Sequence, residues 1–135
     1  MTAGGSTVYV MPLGGGEPKL VTDSTPSYAH GWAPNGRDVL FTAQRTGRGP
    51  AYNLYKKSID GGPEVQLTFN ATGLTDGPEY SPDGNYIYYN ANQTGTMQVW
   101  RMKPDGSGQE QLTFDDYNSW FPHISPDGKW MVILS

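Results

Sequence analysis

Residues 77–90 read GPEYSPDGNYIYYN, a Ser-Pro-Asp-Gly turn set between two short apolar stretches. Proline presets φ for the turn and glycine supplies its left-handed position, so the flanking stretches read as paired strands. The same device recurs. SPDG stands at 125–128 with KWMVILS after it, and APNG at 33–36 with RDVLF after it. The turn prolines Pro34, Pro82 and Pro126 are 48 and 44 residues apart.

Two other landmarks keep this period. QLTF occupies 66–69 and 111–114, with a weaker KLVT at 19–22. An aromatic-bearing strand running into a Gly-rich turn reads VYVMPLGGG (8–16), LYKKSIDGG (54–62) and VWRMKPDGSG (99–108). A strand-patterned repeat of about 40–50 residues is the mark of propeller blades. Each repeat reads as four strands. Strand A covers 28–32, 76–80 and 120–124; strand B covers 39–43, 86–91 and 130–134. Strand C covers 52–58, 98–103 and 7–13; strand D covers 64–69, 109–114 and 18–22. No amphipathic helix is expected.

The expected fold is therefore all-β, a single propeller segment over 1–135 built from blades of four antiparallel strands. Its blades span 28–75 and 76–119, with a third split between 1–27 (strands C and D) and 120–135 (strands A and B). Three blades' worth is half of a six-bladed ring, since closed propellers have about four to eight. Either a longer chain or a second copy would supply the rest, and a homodimer closing the ring would be two-fold and isologous.

Composition agrees. The 135 residues include 18 glycines, 11 prolines, nine tyrosines, four tryptophans and four phenylalanines. That many breakers disfavours long helices, and aromatics favour strands. Net charge is −4 and no basic stripe occurs, so nucleic acid is not an expected partner. Cysteine is absent, which removes disulfides and thiolate metal sites. The longest apolar run, 130–134, is far too short for membrane insertion, and no signal peptide is visible before Gly4-Gly5.

The stretch PEYSPDGNYIYYNANQTGTMQVWRMKPDGSGQEQLTF (78–114) resembles the blade repeat of the TolB-like six-bladed β-propellers, the WD40-like PD-repeat family. Residues 120–135 match its first half. Residues 28–69 match with Ala33 for Ser, Asn35 for Asp and SIDGGPE in the hairpin. The resemblance implies a six-bladed fold, typically periplasmic or extracytoplasmic. It also implies a non-catalytic scaffold binding a protein or small-molecule ligand, although similar blades serve peptidases and carbohydrate-active lyases.

In propellers strand A is innermost, so its residues face the central channel. Both histidines of the chain fall there, His30 and His123, near Asp76 and Glu79, with Tyr28 and Trp120 at the repeat position that Asp76 holds. These six are the channel and ligand-binding candidates. The first four could also act as acid–base groups on carbohydrate or peptide, which is the alternative reading. The histidines are one residue out of register, which by strict alternation points them to different faces. No metal, cofactor or catalytic residue is assigned. Trp32, Trp120, Tyr28, Tyr80 and Phe121 are expected mainly as blade core. Trp100, Tyr55 and Tyr9 are expected as repeat core of strand C, and Leu67, Leu112 and Leu20 of strand D. Asn35, Asp83 and Asp127 are expected to cap their own turns rather than bind calcium, and DGSG (105–108) to be a hairpin rather than a phosphate cradle. No G-x-S-x-G or His-Glu-x-x-His motif occurs.

Overall fold

A computed structural model describes residues 5–135; the expectation about a leader before Gly4-Gly5 falls on residues outside this range. Among the described residues there are twelve strands and no helix. They are β1 (Tyr9–Val10), β2 (Lys19–Leu20), β3 (Ser27–Trp32), β4 (Asp38–Ala43), β5 (Asn53–Ser58), β6 (Gly61–Gln66), β7 (Thr75–Tyr80), β8 (Ile87–Ala91), β9 (Gln98–Met102), β10 (Glu110–Gln111), β11 (Trp120–Ile124) and β12 (Met131–Leu134). β3–β4–β5–β6 and β7–β8–β9–β10 are four-stranded antiparallel meanders, while β1–β2 and β11–β12 are two-stranded. The expected all-β propeller architecture is observed, as two four-stranded sheets and two two-stranded ones.

The turns form as their residues dictate. Asp83 Oδ1 accepts from the Asn85 amide at 2.9 Å and from Ser81 Oγ at 2.6 Å, and Asp127 repeats the arrangement with Lys129 and Ser125. Asn35 Oδ1 accepts from the Arg37 amide at 2.8 Å. In DGSG, Asp105 Oδ1 accepts from the Ser107 amide at 3.0 Å. These acidic and amide side chains are spent on their own backbone.

The Leu-Thr landmark also has a local cause. Thr22, Thr68 and Thr113 each accept the amide of strand C, from Val8, Leu54 and Val99, at 2.9 Å in all three copies. A side-chain oxygen takes over one of the ladder bonds there, while the amide before it (Val21, Leu67 or Leu112) still donates to the strand C carbonyl at 2.8 Å. This is why β6 and β10 end at Gln66 and Gln111, short of the expected 69 and 114. It also corrects the alignment of the first copy: Val21, preceding Thr22, is the buried equivalent of Leu67, whereas Leu20 is exposed.

Strand β4 shows how the sheets stack. It is buried on both faces, and its residues alternate between two clusters. Phe41 and Val39 pack with Val8, Val21 and Tyr55 against β1–β2. Leu40 packs with Leu54, Ile87 and Tyr89 toward β7–β10. Phe41 stacks on Tyr55 at 5.7 Å, and the equivalent Tyr89 stacks on Trp100 at 6.5 Å. Tyr9, the third member of that position, is 57% exposed, because β1–β2 has no strand B beside it.

Candidate functional site

The inner strands β3, β7 and β11 lie side by side, and each carries a β-bulge at the same place. The register shifts between Ala29 and Gly31, between Asp76 and Glu79, and between Trp120 and His123. A bulge sets two residues against one and re-aims the side chains beyond it. Strict alternation therefore does not decide where His30 and His123 point. Glycine permits the close approach of strands: a Cβ on Gly31 would stand 2.8 Å from the Pro78 carbonyl oxygen.

β7 supplies two carboxylates, and each receives a histidine from a flanking sheet. His30 Nε2 of β3 lies 2.8 Å from Asp76 Oδ1. His123 Nδ1 of β11 lies 2.8 Å from Glu79 Oε2. The first pair is sheltered and the second is open to solvent on the histidine side. Burial works to raise the Asp76 pKa, but the His30 hydrogen bond and charge, with the Gly77 amide, outweigh it and hold the carboxyl below its ordinary value. Thr42 adds slightly to this effect, yet its Oγ1 makes no well-formed hydrogen bond and is buried.

Around these pairs stand aromatic rings. Phe121 stacks on the His30 ring at 6.0 Å and lies 5.7 Å from Trp120. Its backbone is left-handed, with φ 50, and its amide donates to Asn90 Oδ1 at 2.9 Å. A bulky side chain with positive φ is costly and persists only where its surroundings hold it. Tyr28 and Tyr52 face one another at 6.4 Å.

Five of the six candidates thus line two cavities. Tyr28, His30 and Asp76 line one of about 390 Å³ with Thr42, Tyr52 and Leu74. His30, Glu79 and His123 line another of about 200 Å³ with Gly77, Phe121 and Pro122. Trp120 reaches this region only through Phe121. The expectation that inner-strand aromatics are mainly core is corrected. Tyr80 is buried, but Tyr28, Trp32 and Phe121 are exposed and Trp120 is partly so. Among the described residues no three His, Asp or Glu side chains are close enough to hold a metal ion.

Thr42, Tyr52 and the conformation of Phe121 were not read from sequence. Thr42 had a signal: it is the polar residue after the apolar run 39–41, and Asn90 occupies the same place in the next repeat.

All 135 residues match the family model for the TolB β-propeller domain. The chain belongs to that family. Similar proteins include an uncharacterized protein of Agrobacterium fabrum, 44% identical over 132 residues, covering 98% of this chain and 44% of that protein. The Tol-Pal system protein TolB of Anaeromyxobacter dehalogenans is 32% identical over 102 residues, covering 76% of this chain and 22% of the relative. A solved TolB-type structure from Agrobacterium tumefaciens superposes with a TM-score of 0.88 at 44% identity, over 97% of this chain and 46% of that one. TolB from Acinetobacter baumannii shares the fold, with a TM-score of 0.81 at 22% identity, over 94% of this chain and 31% of its own. This TolB-family chain spans less than half the length of these relatives.

Proposed function

We propose that this TolB-family chain is a non-catalytic binding module whose inner-strand surface takes a protein or small-molecule ligand. One observation carries the reading: β7 presents two carboxylates, each fixed at 2.8 Å by a histidine from the neighbouring sheet, beside exposed aromatic rings. Preorganised polar groups among exposed aromatics suit recognition. Neither histidine hydrogen-bonds a serine, threonine or lysine among the described residues, so no activated nucleophile accompanies them. Extracytoplasmic location belongs to the same proposal and rests on the family resemblance.

The test is a peptide array and a glycan array probed with the chain, with His30→Ala and His123→Ala variants beside it. Binding that weakens tenfold or more in either variant, at an unchanged melting temperature, supports the reading. Equal binding by both variants overturns it. The histidine–carboxylate pairs also favour a second reading, acid–base chemistry on a saccharide or peptide. Hydrolysis or elimination of nitrophenyl glycosides or peptide anilides, lost in His30→Ala, would establish that reading instead.

The remainder of a longer chain, or a second copy, would complete the two half-sheets; with a second copy they would pair across the two chains. In the complete sheets Phe41 pairs with Tyr55 and Tyr89 with Trp100. The same register brings Ile133 of one copy beside Tyr9 of the other, covering that exposed ring and the open edge of β12.

A further inference from the structure

The larger cavity has a chemistry of its own. It lies between the two four-stranded sheets, with Tyr28 and His30 from β3, Thr42 from β4, Asp76 from β7, and Tyr52 and Leu74 from the segments behind them. The back is rigid, because Tyr52 and Leu74 are bridged and the Thr75 amide donates to the Tyr52 carbonyl at 3.1 Å. Most of the wall is apolar or aromatic. Its polar capacity is specific and unfilled. Asp76 Oδ1 is engaged by His30 and by the Gly77 amide, while Oδ2 has no hydrogen bond among the described residues. Thr42 is 1% exposed, and its Oγ1 lies near the Asp76 carboxyl without a well-formed hydrogen bond. A buried hydroxyl left unpaired costs stability and calls for an explanation.

We propose that this cavity binds a primary alkylammonium group, its charge on Asp76 Oδ2 and Thr42 Oγ1 and its hydrocarbon stem against Tyr28 and Tyr52. The inference rests on the binding reading above and names the ligand chemistry of that surface. An anion would meet the Asp76 carboxylate. A neutral saccharide would need more polar partners than two. A guanidinium pairs best with both oxygens of a carboxylate, and Oδ1 is already held by His30. An ammonium is a compact point charge with three donors, and it gains further from aromatic faces. The group can belong to a small free amine or to a lysine side chain of a partner protein.

Calorimetric titration of the full chain separates these. The probes are n-butylammonium chloride, n-butanol as its neutral counterpart, and the blocked tripeptide Gly-Lys-Gly beside Gly-norleucine-Gly. Butylammonium and the lysine peptide are expected to bind, and butanol and the norleucine peptide to bind at least tenfold more weakly. Thr42→Val, which keeps shape and removes the hydroxyl, should weaken ammonium binding about three- to tenfold. Asp76→Asn should weaken it at least tenfold. A lysine peptide tenfold tighter than butylammonium assigns the group to a protein partner; the reverse assigns it to a free amine. Butanol binding as well as butylammonium, or Thr42→Val binding unchanged, overturns the ammonium assignment. If the arrays yield a ligand dependent on His30 or His123 while butylammonium fails, only this inference falls. If neither yields a ligand, the binding reading falls with it.

Discussion

His30 Nε2 stands 2.8 Å from Asp76 Oδ1, and the two residues belong to different sheets. The contact ties one blade to the next at the inner strands, where the bulges and Gly31 bring the backbones together. The pair thereby helps set the angle between blades.

The pH dependence of this tie has a definite sign. The folded Asp76 carboxyl titrates below its ordinary value of 3.8. Its stabilising contribution is therefore present above that pH and is lost as pH falls through the folded pKa. Asp76→Asn should be less stable than the parent chain at neutral pH by about 1–3 kcal/mol. The gap should narrow once pH drops below the folded pKa. Urea denaturation of both proteins from neutral pH into acid measures it, and a constant gap would contradict the assignment.

Gly31→Ala should separate two blades. The added Cβ would meet the Pro78 carbonyl oxygen at 2.8 Å and the Glu79 Cα at 3.3 Å. Backbone cannot yield as a flexible side chain can, so a loss of about 1–3 kcal/mol is expected. Chemical shifts of the His30 ring should move with it, because the displacement acts on the strand that carries it.

Phe121 gives a reversed comparison. With φ 50 it occupies a conformation that glycine adopts freely and alanine does not. Both Phe121→Gly and Phe121→Ala lose the stacking on His30 and Trp120. The glycine variant should nonetheless be more stable than the alanine variant by about 1 kcal/mol. Thermal or urea melts decide it, and alanine at or above glycine would show that the left-handed backbone is not maintained.

Ring closure has a mass as its readout. The 135-residue chain has a mass of 14.8 kDa, and sedimentation should report twice that for two copies joined through β12 and β1. Ile133→Asp, aimed at the Tyr9 contact, should return a single-chain mass. A single-chain mass for the unchanged protein would remove the pairing.

Much of the fold was legible because its determinants are local. Pro82 and Gly84 specify a turn through their own φ preferences, and Thr68 caps strand C from within its own repeat. Errors arose where a neighbour decides. Tyr9 and Tyr55 hold equivalent positions, yet only Tyr55 is covered, because only its sheet has a strand B beside it. Leu20 looked like Leu67 by spacing, but the threonine bond sets the register one residue later.

The candidate site was partly legible too. His30, Asp76, Glu79 and His123 stood out as the polar residues of inner strands, and they do meet. Their pairing was not readable, since a bulge changes side-chain direction without leaving a mark in hydrophobic alternation. Thr42 comes to Asp76 from β4, and Tyr52 from the segment before β5.

By itself the sequence determined the repeat, its strand order and the turns, because those follow from backbone preferences and periodic burial within about 45 residues. Tertiary structure alone decided which histidine meets which carboxylate, and that Thr42 lies beside Asp76. Those contacts form between sheets, across the bulges, where the packing of one blade against the next outranks anything a single repeat can encode.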